Sequence, residues 1–129
     1  MNEEEAIELL KALLARENAE WSEEGSCVRF RVRRGGMTWE TVCRPVREAL
    51  LFYARFPFHC RDAETARLRC EELNRRLVRG ALFLGEDGGP VYRCRAELDD
   101  VYGAEDRIIS ALRYSAEVVA RYWGRLSSS

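Results

Sequence analysis

From Cys27 to Arg33 the chain alternates without a break. Val28, Phe30 and Val32 fall on one side, Arg29, Arg31 and Arg33 on the other. Period-two alternation of this kind predicts a half-buried strand. Arg34-Gly35-Gly36 supplies a turn in which glycine adopts positive φ, and Met37 to Cys43 reads as the return strand, with Trp39, Thr41 and Cys43 on one face. Arg44-Pro45-Val46-Arg47 interrupts the pattern. Ala49 to Phe58 is the most apolar segment, a central strand that Pro57 brings to an end. Upstream, residues 3–17 set Ala6, Leu9, Leu10, Leu13 and Leu14 on one helical face, with acids in the first turn where the helix dipole favours them. Trp21 follows in a polar connection closed by Gly25.

The second half has no internal repeat of the first, and it opens on another helix. Asp62 is a candidate N-cap, and Ala66, Cys70, Leu73 and Leu77 form a core-facing helical stripe that ends where Gly80 suits the C′ position. Ala81 to Leu84 is a short strand. Gly85-Glu86-Asp87-Gly88-Gly89 is a hairpin turn, and Pro90 opens a strand in which Tyr92, Cys94, Ala96 and Leu98 alternate with Arg93, Arg95 and Glu97. After a connection at 99–103, Ile108, Leu112, Ser115, Val119 and Tyr122 or Trp123 lie along one face of a final helix. The order is α-β-β-β-α-β-β-α. Hairpin-linked strands with separate helices imply an α+β fold: an antiparallel five-stranded sheet packed with helices. One domain over residues 1–126 is expected, followed by a disordered tail at 127–129.

Composition narrows the compartment. The longest uncharged apolar run, Ala49 to Ala54, is far short of the roughly 20 residues of a membrane span. The acidic start MNEEEAIELL lacks the basic and apolar regions of an export signal. Five cysteines (27, 43, 60, 70 and 94) are scattered singly, so a reduced, cytoplasmic protein with small apolar thiols is expected.

The net charge of −1 conceals an uneven distribution. Glu3, Glu4, Glu5, Glu8, Glu17, Glu20, Glu23 and Glu24 crowd residues 1–24. Arg29, Arg31, Arg33, Arg34, Arg44, Arg47, Arg55 and Arg61 crowd residues 25–61. Either the acidic helix lies near the basic strands, or both are simply solvated, or the basic strands form a docking face. If the two arginine stripes share an exposed sheet face, then Arg29, Arg31, Arg33, Arg93 and Arg95 are the candidate binding residues, with Trp39 beside them. Such a face suits single-stranded nucleic acid, where arginine and aromatics combine, but a pI near 6.0 argues against that partner.

Reactive constellations are not evident, and no catalytic residue, metal site or cofactor is expected. His59-Cys60 is the only adjacent His–Cys pair, and neighbours at a strand end point apart. Zinc would want paired, short-spaced thiols. Glu86-Asp87 and Asp99-Asp100 do not follow the alternating ligand pattern of a calcium loop. No P-loop lysine or GxGxxG follows the glycine turns.

Leu73-Asn74-Arg75-Arg76-Leu77, then Gly80-Ala81-Leu82-Phe83, then Glu86-Asp87-Gly88 and the strand to Leu98 resemble the YbjN-like group of bacterial proteins. In that group a helix ending in Leu-Asn leads into a G-x-F-x-x-D-x-G hairpin, and a long C-terminal helix closes the domain. The Arg-rich first hairpin departs from the group. The resemblance implies the fold of type III secretion chaperones and a non-enzymatic, chaperone-like or regulatory protein that binds partner chains. It also implies a homodimer built from the sheet and a helix face, with partner segments wrapping the surface.

Overall fold

The computed structural model describes residues 1–129. Three helices and six strands alternate as α1 (Glu3–Arg16), β1 (Trp21–Glu24), β2 (Cys27–Arg34), β3 (Met37–Val46), β4 (Ala49–Arg55), α2 (Ala63–Asn74), β5 (Ala81–Leu84), β6 (Pro90–Glu97) and α3 (Ala104–Ser127). The strands form one open sheet in the order β1-β2-β3-β4-β6-β5, and every neighbouring pair is antiparallel. The fold is therefore α+β, as the alternation predicts, but with six strands instead of five and the order α-β-β-β-β-α-β-β-α. The additional strand is β1. Its residues, Trp-Ser-Glu-Glu, are all exposed, so no burial pattern announces it. It is recruited by a tight turn in which Gly25 takes φ +61°, which folds Glu24 back against Cys27.

Strand β3 also runs three residues beyond the expected end at Cys43. Pro45 is tolerated there because pairing with β2 stops at Val28–Cys43, while pairing with β4 continues to Val46–Ala49. The proline thus lacks a donor only where no β2 acceptor remains. Strand β4 ends at Arg55, before the expected boundary.

One face of the sheet is dry. Val28 and Phe30 of β2, Trp39 and Cys43 of β3, Leu50, Phe52 and Ala54 of β4, Leu82 of β5 and Tyr92, Cys94 and Ala96 of β6 are buried there. They pack against Leu10, Leu13 and Leu14 of α1 and Ile108, Val119 and Leu126 of α3 in a single core. α3 lies along β6 and β4, and α1 along β3 and β4. Asn2 caps α1 by accepting the Glu5 N–H at 2.8 Å, and Asp62 caps α2 by accepting the Thr65 N–H at 3.1 Å, as its position suggested.

α2 closes one sheet edge. Its last residue, Asn74, accepts the Leu82 N–H at 2.7 Å and donates to the Leu82 carbonyl at 2.9 Å, so its amide substitutes for a neighbouring strand. The chain then leaves the helix, so Leu77 and Gly80 lie beyond the helix end and Gly80 is not its C′ residue. Ser127–Ser129 are not a disordered tail. Ser127 ends α3, Ser129 is buried and its carbonyl accepts the Asp62 N–H at 2.8 Å, and Arg69 donates to the Ser128 and Ser129 hydroxyls at 2.8 Å each. An arginine from a distant element holds this end, and local polarity does not reveal it. No helix is long and apolar enough to cross a membrane.

Candidate partner-binding face

No helix covers the other side of the sheet, and the arginines stand there. Strand register places Arg29, Arg31 and Arg33 of β2 on the same face as Arg93 and Arg95 of β6, with Arg44 of β3 and Arg55 of β4 between them. One cross-strand row reads Arg29–Val42–Tyr53–Arg93. The next row along the strands reads Arg44–Leu51–Arg95, and on the other side lies Arg31–Glu40–Arg55–Val91. An apolar centre of Val42, Leu51 and Tyr53, each half-buried, is thus bracketed by guanidinium groups. Phe83 on β5 extends the apolar surface and is 37% exposed.

Trp39 does not belong to this face. It occupies the opposite side of β3, 2% exposed, with its ring centroid 6.4 Å from that of Trp123 in a cluster with Phe56 and Phe58. The alternation already set Trp39 with Thr41 and Cys43; grouping it with the arginines conflicted with that parity. Conversely, Arg44 and Arg55 were not expected here. Arg44 was hidden by the apparent break at Pro45, and Arg55 by its place at the end of an apolar run. Tyr53, Leu51 and Val42 emerge only when the register is known, because one residue of slip would exchange the two faces.

The arginines differ in how far they are already satisfied. Arg29 pairs with Glu24 at 2.6 Å and Glu40 at 3.5 Å, Arg95 with Glu97 at 2.5 Å, and Arg55 with Asp87 at 3.6 Å. Arg44 donates to the Tyr53 hydroxyl at 3.2 Å and lies over its ring at 5.9 Å. Only one nitrogen of this guanidinium is engaged by the hydroxyl, so its other donors stay free. Arg31, Arg33 and Arg93 are exposed and have no carboxylate partner. The acidic helix does not neutralise them. α1 lies on the helical side, where its Glu8 joins Lys11, which is also bound by Glu23, and Arg16 of α1 pairs with Glu105 at 2.7 Å.

At one end the face runs into a cleft of about 390 Å³ lined by Glu40, Arg55, Phe58, His59, Asp87 and Val91. His59 Nδ1 donates to the Asp87 carbonyl at 2.7 Å. The Asp87 carboxylate accepts the Gly89 N–H at 2.9 Å, and this bond, with the His59 and Arg55 charges, holds its pKa below the ordinary value. The Cys60 thiol turns away and donates to the Leu126 carbonyl at 3.5 Å, so His59 and Cys60 serve different elements. Cys43, Cys70 and Cys94 are buried and free. Burial pushes the thiols of Cys70 and Cys94 up to about 11 and that of Cys43 higher still, leaving them as neutral core groups. No three His, Cys, Asp or Glu side chains are grouped as metal ligands.

No family model, curated protein or solved structure matches this chain.

Proposed function

We propose that this protein is a non-enzymatic, protein-binding domain with a chaperone-like or regulatory role, and that its working surface is the uncovered sheet face. The observation that carries this is the pair of rows Arg29–Val42–Tyr53–Arg93 and Arg44–Leu51–Arg95. A sheet face left to solvent is normally polar at its centre, because period-two alternation puts apolar residues only toward the core. Here an apolar patch of Val42, Leu51 and Tyr53 is ringed by charged residues on all four strands, the plan of a small interface with a desolvated middle and a polar rim. The resemblance to YbjN-like proteins and the chaperones of type III secretion supports the same class of function.

That resemblance also implies a homodimer. Stacking two copies of this face would set arginines against arginines, so the face is assigned to a different partner chain. Nucleic acid is the alternative occupant, favoured by the arginine stripe alone. The net charge of −1 and a centre built from Val42 and Leu51 disfavour it.

The test is crosslinked capture from the native cytoplasm, comparing the wild type with the Arg29→Ser/Arg31→Ser/Arg33→Ser variant. A specific protein recovered by the wild type and lost in the variant is expected. Nucleic acid in its place, or a protein held equally by both, would contradict the assignment.

A further inference from the structure

We infer that the occupant of the open sheet face is an acidic amphipathic helix of another protein, with its apolar stripe on Val42, Leu51 and Tyr53 and carboxylates on both flanks. This deepens the functional proposal above and rests on it. The β2 and β6 arginine columns lie three strand spacings apart, about 14 Å at 4.7–4.9 Å each. An α-helix with its side chains is roughly 10–12 Å across. A helix therefore spans the strip over β3 and β4, with its apolar contact confined to Val42, Leu51 and Tyr53 and with Glu40, Arg44 and Arg55 of the same strip beneath its polar positions. Its two flanks come within reach of Arg31 and Arg33 on one side and Arg93 on the other. An extended strand carries side chains in only two opposite directions and, lying on its apolar side, has no flanks to offer.

Charge complementarity selects the partner. Arg31, Arg33 and Arg93 form no ion pair within this chain, although Glu40 stands opposite Arg31, and Arg44 is held by the Tyr53 hydroxyl with donors to spare. A basic helix would be repelled, and a second copy of this face would repeat the same charge. A single-stranded nucleic acid combines a basic groove with stacking on successive aromatic rings, and the centre of this face offers one ring, Tyr53, whose hydroxyl is bound by Arg44. A helix docked here would add the missing layer on the second face of the sheet.

The experiment is fluorescence anisotropy with the intact protein and labelled 18-residue helical peptides. The first peptide carries a leucine stripe flanked by glutamates. The second replaces the glutamates with lysines, and the third replaces the leucines with serines. A single-stranded oligonucleotide of twelve thymidines is the fourth probe. Binding of the first peptide is expected. It should weaken about tenfold in Arg31→Ser/Arg33→Ser/Arg93→Ser, since three exposed pairs together contribute on that order. These side chains are exposed and unpaired, so the variant keeps the wild-type fold, checked by its thermal melt. The lysine and serine peptides are expected to bind at least tenfold more weakly than the first.

Equal binding of the lysine peptide would overturn the acidic character while leaving a protein-binding face in place. Tighter binding of the oligonucleotide, with the same arginine dependence, would overturn the proposal in favour of nucleic acid. Failure of every probe, with a captured partner crosslinked to the helical layer, would overturn both the inference and the assignment of the face.

Discussion

At Gly80 a Cβ atom would come to 2.6 Å from the Tyr92 hydroxyl and closer still to the Arg93 carbonyl, and φ is +73°. Gly36 has a similar φ of +81° but nothing within 4 Å of the same position. Gly36→Ala is therefore expected to cost about 1 kcal/mol, the conformational penalty alone. Gly80→Ala should cost about 3 kcal/mol, because steric overlap adds to it. Urea denaturation of the two variants separates the terms, and equal losses would show that the close approach at Gly80 is absent. Trp39 offers a second contrast. Trp39→Ala should destabilise the fold by about 3–5 kcal/mol in the same assay, as for other large core deletions. A stable Trp39→Ala protein defective only in partner binding would return this residue to the binding face. At this scale the sequence was informative about chemistry and blind to contact. Glycine at 80 was visible, but its collision partners come from a strand twelve and thirteen residues further on.

Among the elements, the two sheet edges are treated differently. β1 is open, short and acidic, features that discourage unwanted strand pairing. β5 is closed by the Asn74 amide. Asn74→Leu should remove both bonds and cost about 2–6 kcal/mol, since two part-buried backbone groups are left unpaired at roughly 1–3 each. The Leu82 amide should then exchange with deuterium faster than in the wild type. Unchanged exchange would mean that the edge is protected by other means. Alternation made β2 and β6 legible, and the glycine turns made their hairpins legible. β1 was not legible, because four exposed residues leave no periodic signature and their pairing depends on a turn. The end of β3 was obscured by Pro45, whose compatibility depends on where β2 stops. The stripe through Leu77 likewise suggested a longer helix than the one that releases its chain at Asn74.

For the molecule as a whole, the thiols make alkaline stability a test of the core. In the unfolded chain a cysteine loses its proton near pH 8.5. In the fold, burial holds Cys70 and Cys94 protonated until about 11 and raises Cys43 further. A raised native pKa gives stability that is complete below the unfolded value and is lost as pH rises toward the native one. Urea midpoints should therefore fall progressively between about pH 8.5 and 11. The decline should be shallower in Cys43→Ala, once its neutral-pH loss is subtracted, and an unchanged slope would place Cys43 in a solvated site. Asp62 and Asp87 have the opposite sign. The Thr65 and Gly89 N–H bonds lower their native values, so their contribution is present above the ordinary carboxylate value near 3.9 and disappears as pH falls below it.

The arginine stripes were legible as two separate alternations, but their union on one face depends on the order β2-β3-β4-β6, which brings together residues more than sixty positions apart. The most direct test of that face is photocrosslinking with p-benzoylphenylalanine placed at Tyr53, at its centre, and at Glu117, exposed on α3 in the helical layer. The protein recovered by native capture should crosslink from position 53 and not from position 117. Crosslinking from 117 alone would contradict the assignment of the open sheet face and move the binding surface to the helices.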